Sequence, residues 1–168
     1  MKKMTEANLK AAFAGESQAH MKYLAFMEKA EREGYPEVAR LFHAIAYAEK
    51  VHAINHLRQL KGIGDTAANL QAAMGGEDYE VDEMYPAFDA VAKLQEEKGA
   101  QRSFHYAIEA EKIHEAMYQE ALESITGGSD IPANSVYVCP VCGHTHIGDH
   151  APDECPVCGV RAEKYKKF

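Results

Sequence analysis

The sequence predicts a mainly α protein, a four-helix bundle followed by a small metal-binding domain. Three observations carry that expectation. Residues 5–126 contain no cysteine, only Pro36 and Pro86 among prolines, and apolar residues recurring every three or four positions. Residues 127–168 hold four of the six prolines and all four cysteines, the latter in two Cys-x-x-Cys pairs. Between them "TGGSDIPANS", at 126–135, has the Gly, Ser, Asn and Pro content of a connection. The expected organisation is therefore a bundle over 1–126, a linker over 127–135 and a metal domain over 136–168.

The first helix is expected to start after Thr5, a plausible N-cap, and to run to about Arg32, where "EGYP" breaks it. The second begins near Pro36, since proline is tolerated in a first helical turn, and ends at "KGIG". Residues 63–78 read as a crossover with room for one short helix. A third helix follows over 79–98 and a fourth over 99–126, closed by Gly127 and Gly128. Two helical hairpins joined by a longer crossover describe a four-helix bundle of the ferritin-like type.

Bulk composition narrows the function. An apolar content of 46% is enough for a core, and a net charge of −8 with a pI near 5.6 argues against nucleic acid or an anionic membrane as partner. No run approaches a membrane-spanning length. The N-terminal stretch is interrupted by Glu6, Lys10 and Glu16, unlike a signal core, so a cytoplasmic location is expected.

The inward-facing rows carry the chemistry. Helix one presents Leu9, Phe13, Glu16, His20, Leu24 and Met27, and helix two presents Val38, Phe42, Ile45, Glu49, His52, His56 and Leu60. Helix four presents Phe104, Ile108, Glu111, His114 or Glu115, Tyr118, Leu122 and Ile125. Each row has a glutamate near its middle, and a buried carboxylate is costly without a cation beside it. No lysine or arginine recurs on these rows, so metal ions are the expected counter-charge.

"AEKVH" at 48–52 and "AEKIH" at 110–114 reinforce this, because Glu49 and His52 map onto Glu111 and His114 at an offset of 62. On helix three, Glu80 and Glu83 share a face, and Glu16 maps onto Glu80 at an offset of 64. Each hairpin thus offers one glutamate and a Glu-x-x-His, the ligand pattern of a di-metal carboxylate bundle. Glu49 and Glu111 are expected to bridge two metals. Glu16 with His52 or Glu83 would complete one site, and Glu80 with His114 the other. One Glu-x-x-His arises by chance in a chain with 19 glutamates; two, related by a repeat and set on apolar stripes, do not. Tyr23 lies two turns from Glu16 on the same face, where its phenol suits either a hydrogen bond to a ligand carboxylate or plain core packing.

"CPVCG" occurs at 139–143 and 155–159. Cys139, Cys142, Cys155 and Cys158 can close a tetrahedral four-sulfur shell, which on the module's own evidence suits zinc and iron equally. Tyr137, Ile147, Tyr165 and Phe168 are its expected apolar packing.

With "AFAGESQAHMKY", the two Glu-x-x-His pentapeptides, "EVDEMYP" and the paired "CPVCG" in place, the chain resembles a rubrerythrin over nearly its whole length. The resemblance implies a ferritin-like di-iron domain with Glu16, Glu49, His52, Glu80, Glu83, Glu111 and His114 as ligands, then a rubredoxin-like domain with one iron on the four cysteines. It implies a non-haem peroxidase that reduces hydrogen peroxide to water, with NADH-linked electrons arriving from an external donor such as rubredoxin or an NAD(P)H-dependent reductase. It implies a homodimer, and an iron that exchanges His52 for Glu83 on oxidation. An electron relay favours iron over zinc in the cysteine site, because zinc has no redox role. A ferroxidase or oxidase of the ferritin-like type is the alternative; a zinc-ribbon adaptor would leave the carboxylates without a purpose.

Overall fold

The structure, a computed structural model, describes residues 1–168 and divides into two compact units, Met1–Gly64 and Asp65–Phe168. No helix is long and apolar enough to cross a membrane.

The first unit is a helical hairpin of α1 (Lys3–Arg32) and α2 (Pro36–Gln59). Helix α1 begins two residues before Thr5, which therefore lies inside it and not at its cap. Proline opens α2, as its sequence implies, because a first-turn residue has no amide bond to lose. Ala39, Ala46 and Ala53, spaced by seven, are buried on α2 and form the seam on which α1 closes. Tyr23, Phe26 and Phe42 cluster beside it, with ring centroids 5.6–6.2 Å apart. Much of the remaining apolar surface is uncovered, including Leu41 at 59% and Tyr47 at 65% exposure.

The second unit opens with α3 (Thr66–Tyr79), passes through a π-helical turn (Glu80–Met84) into α4 (Tyr85–Leu94), and returns along α5 (Lys98–Thr126). The segment expected as a crossover is thus the first half of the third helix. Its start is set by Asp65, whose Oδ1 accepts the Ala68 amide at 2.8 Å. The alanine-rich "TAANLQAAM" that follows favours helix enough to carry Gly75 and Gly76. Tyr85, Phe88 and Phe104 form an aromatic cluster with centroids 5.9–6.5 Å apart. These rings sit 62 positions after Tyr23, Phe26 and Phe42, so the repeat extends from the ligand motif to the packing.

The cysteine module is a three-stranded antiparallel sheet in the order β2 (Thr145–Gly148), β1 (Ser135–Val138), β3 (Lys166–Lys167). Cys139, Cys142 and Cys155 are its buried core, packed by Tyr106, Val157, Val160 and Tyr165. Tyr137 is buried and Ile147 half-buried, as expected, but Phe168 is 66% exposed and does not pack inside. Its ring instead lies 4.8 Å from the Lys166 ammonium. The fold class is the one the sequence predicts: mainly α, four helical segments in two hairpins, then a small cysteine-bearing domain.

Candidate metal centres

In the first unit Glu16 of α1 meets Glu49 and His52 of α2, one ligand atom from each lying within 4.8 Å of the others. Glu49 and His52 are neighbours because they stand three residues apart on one helix. His52 Nδ1 is 2.9 Å from Glu49 Oε2 and 4.0 Å from Glu16 Oε1.

The second unit repeats the arrangement with Glu77 of α3 and Glu111 and His114 of α5. His114 Nδ1 is 2.6 Å from Glu111 Oε2. Glu77 is hydrogen-bonded to Glu111, and its carboxyl is pushed up to about 7, by burial first and then by the neighbouring negative charge and that hydrogen bond. Glu80 is raised too, by burial and by the charge of Glu111. Burial raises the Tyr85 phenol, and the charges of Glu80, Glu111 and Glu77 raise it further.

The second cluster therefore contains Glu77, where Glu80 was expected to take that place. Glu80 lies beside the cluster and Glu83 is exposed. The π-helical turn explains the difference. Glu16 precedes Tyr23 by seven residues, whereas Glu77 precedes Tyr85 by eight. The wider turn at Glu80–Met84 absorbs the additional residue, so Glu77 keeps the helical face that Glu16 has in the first hairpin. One signal in the sequence pointed this way: Glu77 lies 61 positions after Glu16, nearer the repeat of 62 than Glu80 at 64. It was missed because residue 77 fell in the presumed crossover.

Of the other candidates, Tyr23 is half-buried in its aromatic cluster, packed on Phe26 and Phe42. Its repeat mate Tyr85 is the tyrosine that senses the carboxylates. His20 Nδ1 bonds the Ala46 carbonyl at 2.7 Å, which ties α1 to α2.

In the cysteine module the two "CPVCG" turns have matching geometry. Gly143 N–H donates to Cys139 O at 3.0 Å and Gly159 N–H to Cys155 O at 2.8 Å. Both glycines have positive φ, 80° and 73°, which lets each turn close over the sulfurs. Sγ atoms of Cys139 and Cys158 are 3.5 Å apart, those of Cys142 and Cys155 3.4 Å. No disulfide links them, and two thiolates on one tetrahedral ion at 2.3 Å lie about 3.8 Å apart. Burial acts to raise Cys155, but hydrogen bonds from the Tyr165 hydroxyl and the Cys158 and Val157 amides outweigh it and bring the thiol down to about 6. Burial pushes Cys142 and Cys158 up. On a metal ion the opposed tendencies of Cys155 and of Cys142 and Cys158 give way to one shell of thiolates.

The donor sets fit iron. Lysine and arginine make their ion pairs elsewhere, Lys10–Glu6, Lys29–Glu33, Arg40–Glu37, Lys93–Asp89 and Lys112–Glu109. Each carboxylate–histidine cluster thus collects acceptor oxygens and one imidazole with no protein cation among them. Hard carboxylate oxygens with one imidazole suit a ferrous or ferric ion, and four thiolates suit a rubredoxin-like iron.

Comparison with known proteins agrees. The family model described as rubrerythrin matches residues 7–122, and that of the rubrerythrin rubredoxin-like domain matches 137–166. Rubrerythrin-2 of Clostridium acetobutylicum is 44% identical, over 98% of this chain and 97% of that protein. Rubrerythrin of Nitratidesulfovibrio vulgaris is 33% identical, over 92% and 88%. Among solved structures, fully reduced, all-ferrous nigerythrin is similar at a TM-score of 0.59 and 32% identity, covering 98% of this chain and 86% of that one. The two carboxylate–histidine clusters fit the iron ligands of this ferritin-like fold, the cysteines fit one further iron, and the function is that of an oxidoreductase. The chain belongs to the rubrerythrin family.

Proposed function

We propose that this protein is a peroxidase that reduces hydrogen peroxide to water, taking two electrons and two protons per peroxide and forming two waters. One observation supports it above the rest: two Glu–Glu–His clusters and a four-cysteine shell on the same chain. Iron held by these residues would supply electrons one at a time between its ferrous and ferric states. The clusters offer two irons for a two-electron reaction, and the cysteine shell offers the port through which electrons return.

In this reading Glu16, Glu49 and His52 hold one iron, and Glu77, Glu111 and His114 the other. Glu80 is the additional carboxylate within reach, in the role the sequence suggested for Glu83. Electrons come from outside the chain, from a rubredoxin or an NAD(P)H-dependent reductase. Exposed apolar side chains such as Leu41, Tyr47 and Leu94 support association into a homodimer. Four free cysteines set around one ion suit the reducing cytoplasm.

The test is anaerobic turnover with rubredoxin and an NADH-dependent rubredoxin reductase. One NADH oxidised per peroxide added, with a proton taken up and two waters formed, is the expected stoichiometry. NADH oxidation that waits for dioxygen and ignores peroxide would overturn the proposal in favour of an oxidase.

A further inference from the structure

His114 is held at both ring nitrogens, and the second contact comes from the cysteine module. Its Nε2 lies 2.8 Å from Thr145 Oγ1, the first residue of β2. The Thr145 hydroxyl has one proton, and it donates that proton to the Gly143 carbonyl at 3.0 Å. Towards His114 the same oxygen can therefore only accept. Nε2 must carry a hydrogen; the 2.6 Å contact of Nδ1 with the Glu111 carboxylate needs a proton too when no metal is bound, and a metal ion that takes that proton's place meets a neutral ring whose lone pair is on Nδ1.

The contact is built in by packing. Gly143 sits against Ala110 of α5, one turn before His114; a Cβ at Gly143 would lie 3.7 Å from the Ala110 Cβ, and Ala110 is 2% exposed. A cavity of about 400 Å³ flanks the pair, walled by Leu70, Met117, Val136 and Ile147, so the hydrogen bond lies in largely apolar surroundings. The first hairpin has no counterpart. His52 is 54% exposed and is held through Nδ1 alone.

We propose that Thr145 is a positioning residue for the metal centre on α3 and α5: it fixes the Nε2–H tautomer of His114, so that Nδ1 is the nitrogen presented to metal. Thr145 touches no metal donor except through His114. It also links that histidine by two hydrogen bonds to the peptide of Gly143, the residue that follows Cys142 in the chain. A change of metal state in the cysteine shell and the orientation of His114 are thereby coupled through one hydroxyl.

The inference rests on the reading that His114 is a metal ligand, and its test separates the two. Full-length protein labelled with ¹⁵N-histidine is titrated with zinc, a diamagnetic probe, and the ring nitrogens of His114 are followed by NMR. The hydrogen is expected on Nε2 and the zinc-induced shift on Nδ1. In Thr145→Val, which keeps the shape and removes the hydroxyl, zinc affinity read at His114 is expected to fall by about 10–100-fold, the usual cost of losing such a partner. Thr145→Ser is expected to restore it. The cysteine shell, read by its ferric-thiolate absorption in iron-loaded samples, is expected to be unchanged in both variants. Unaltered zinc affinity at His114 in Thr145→Val, or zinc on Nε2, would overturn the inference while leaving His114 a ligand. A His114 ring that ignores saturating zinc would overturn it by removing the ligand reading itself.

Discussion

Glu77 is hydrogen-bonded to Glu111 across the α3–α5 pair, a carboxyl against a carboxylate. Two acidic groups share a site this way only with a proton or a metal cation between them. Replacing Glu77 by Gln removes a charge that the metal needs and keeps the shape. Glu77→Gln is expected to lower metal occupancy on α3 and α5 and to cut peroxide turnover by at least about 100-fold, beyond the usual loss for an indirect partner. Glu83→Gln, at an exposed position, is expected to stay within about twofold. Metal analysis and steady-state rates on the two variants decide between the two glutamates.

The same pair sets a pH dependence. Metal uptake must displace the proton that Glu77 holds up to about 7. Zinc or ferrous ion binding at this cluster is therefore expected to weaken as pH falls from 8 to 6 and to release protons, as calorimetry in buffers of different ionisation enthalpy would show. For the metal-free protein the sign is opposite. The folded group binds its proton more tightly than the ordinary carboxyl at 4.5, so its contribution to stability falls as pH rises from 4.5 through about 7. Chemical denaturation of the apoprotein at a series of pH values reads this directly.

The π-helical turn is expected to be essential to the site and dispensable for the helix. Deleting Val81 would return Glu80–Met84 to ordinary helix and rotate Glu77 by about 100° relative to Tyr85. Circular dichroism should show undiminished helicity, while metal binding at His114 is lost. Retained metal binding would mean that the additional residue does not set the register of Glu77.

How far the site could be read from sequence follows from this one turn. Glu49 and His52, and Glu111 and His114, lie in uninterrupted helices, where spacing alone fixes the shared face, and the structure brings each pair together. A single inserted residue is invisible to a search for period 3.6, and it moved the reading of the third helix one turn along, from Glu77 to Glu80. The helix start was lost for a related reason: Gly75 and Gly76 look like a connection, while the Asp65 cap and the alanines after it form a helix. The four-cysteine shell was fully legible, because Cys-x-x-Cys-Gly fixes its own turn. The Thr145 contact was not, since residues 114 and 145 are brought together only by the docking of β2 on α5.

Metal removal should unfold the cysteine module and spare the helices. Its buried residues are three cysteines, Tyr137 and His144, with a few half-buried side chains around them, too little to hold a sheet of 4-, 4- and 2-residue strands without an ion. Cys139→Ser is expected to abolish the ferric-thiolate colour and most donor-driven turnover. Helicity should remain, and the chemically reduced protein should still consume about one equivalent of peroxide. Parallel visible absorption, circular dichroism and peroxide titration test each part.

The most direct test of peroxidase function is a rapid-mixing experiment. Anaerobically reduced protein is mixed with limiting hydrogen peroxide, and the visible absorption of the cysteine-bound iron is followed. The result expected is a fast return of ferric-thiolate colour, with two electrons removed per peroxide and the oxidising equivalents passing from the helical irons to the cysteine shell. Reoxidation that is slow with peroxide and quick with dioxygen, or a protein that stays colourless, would contradict it.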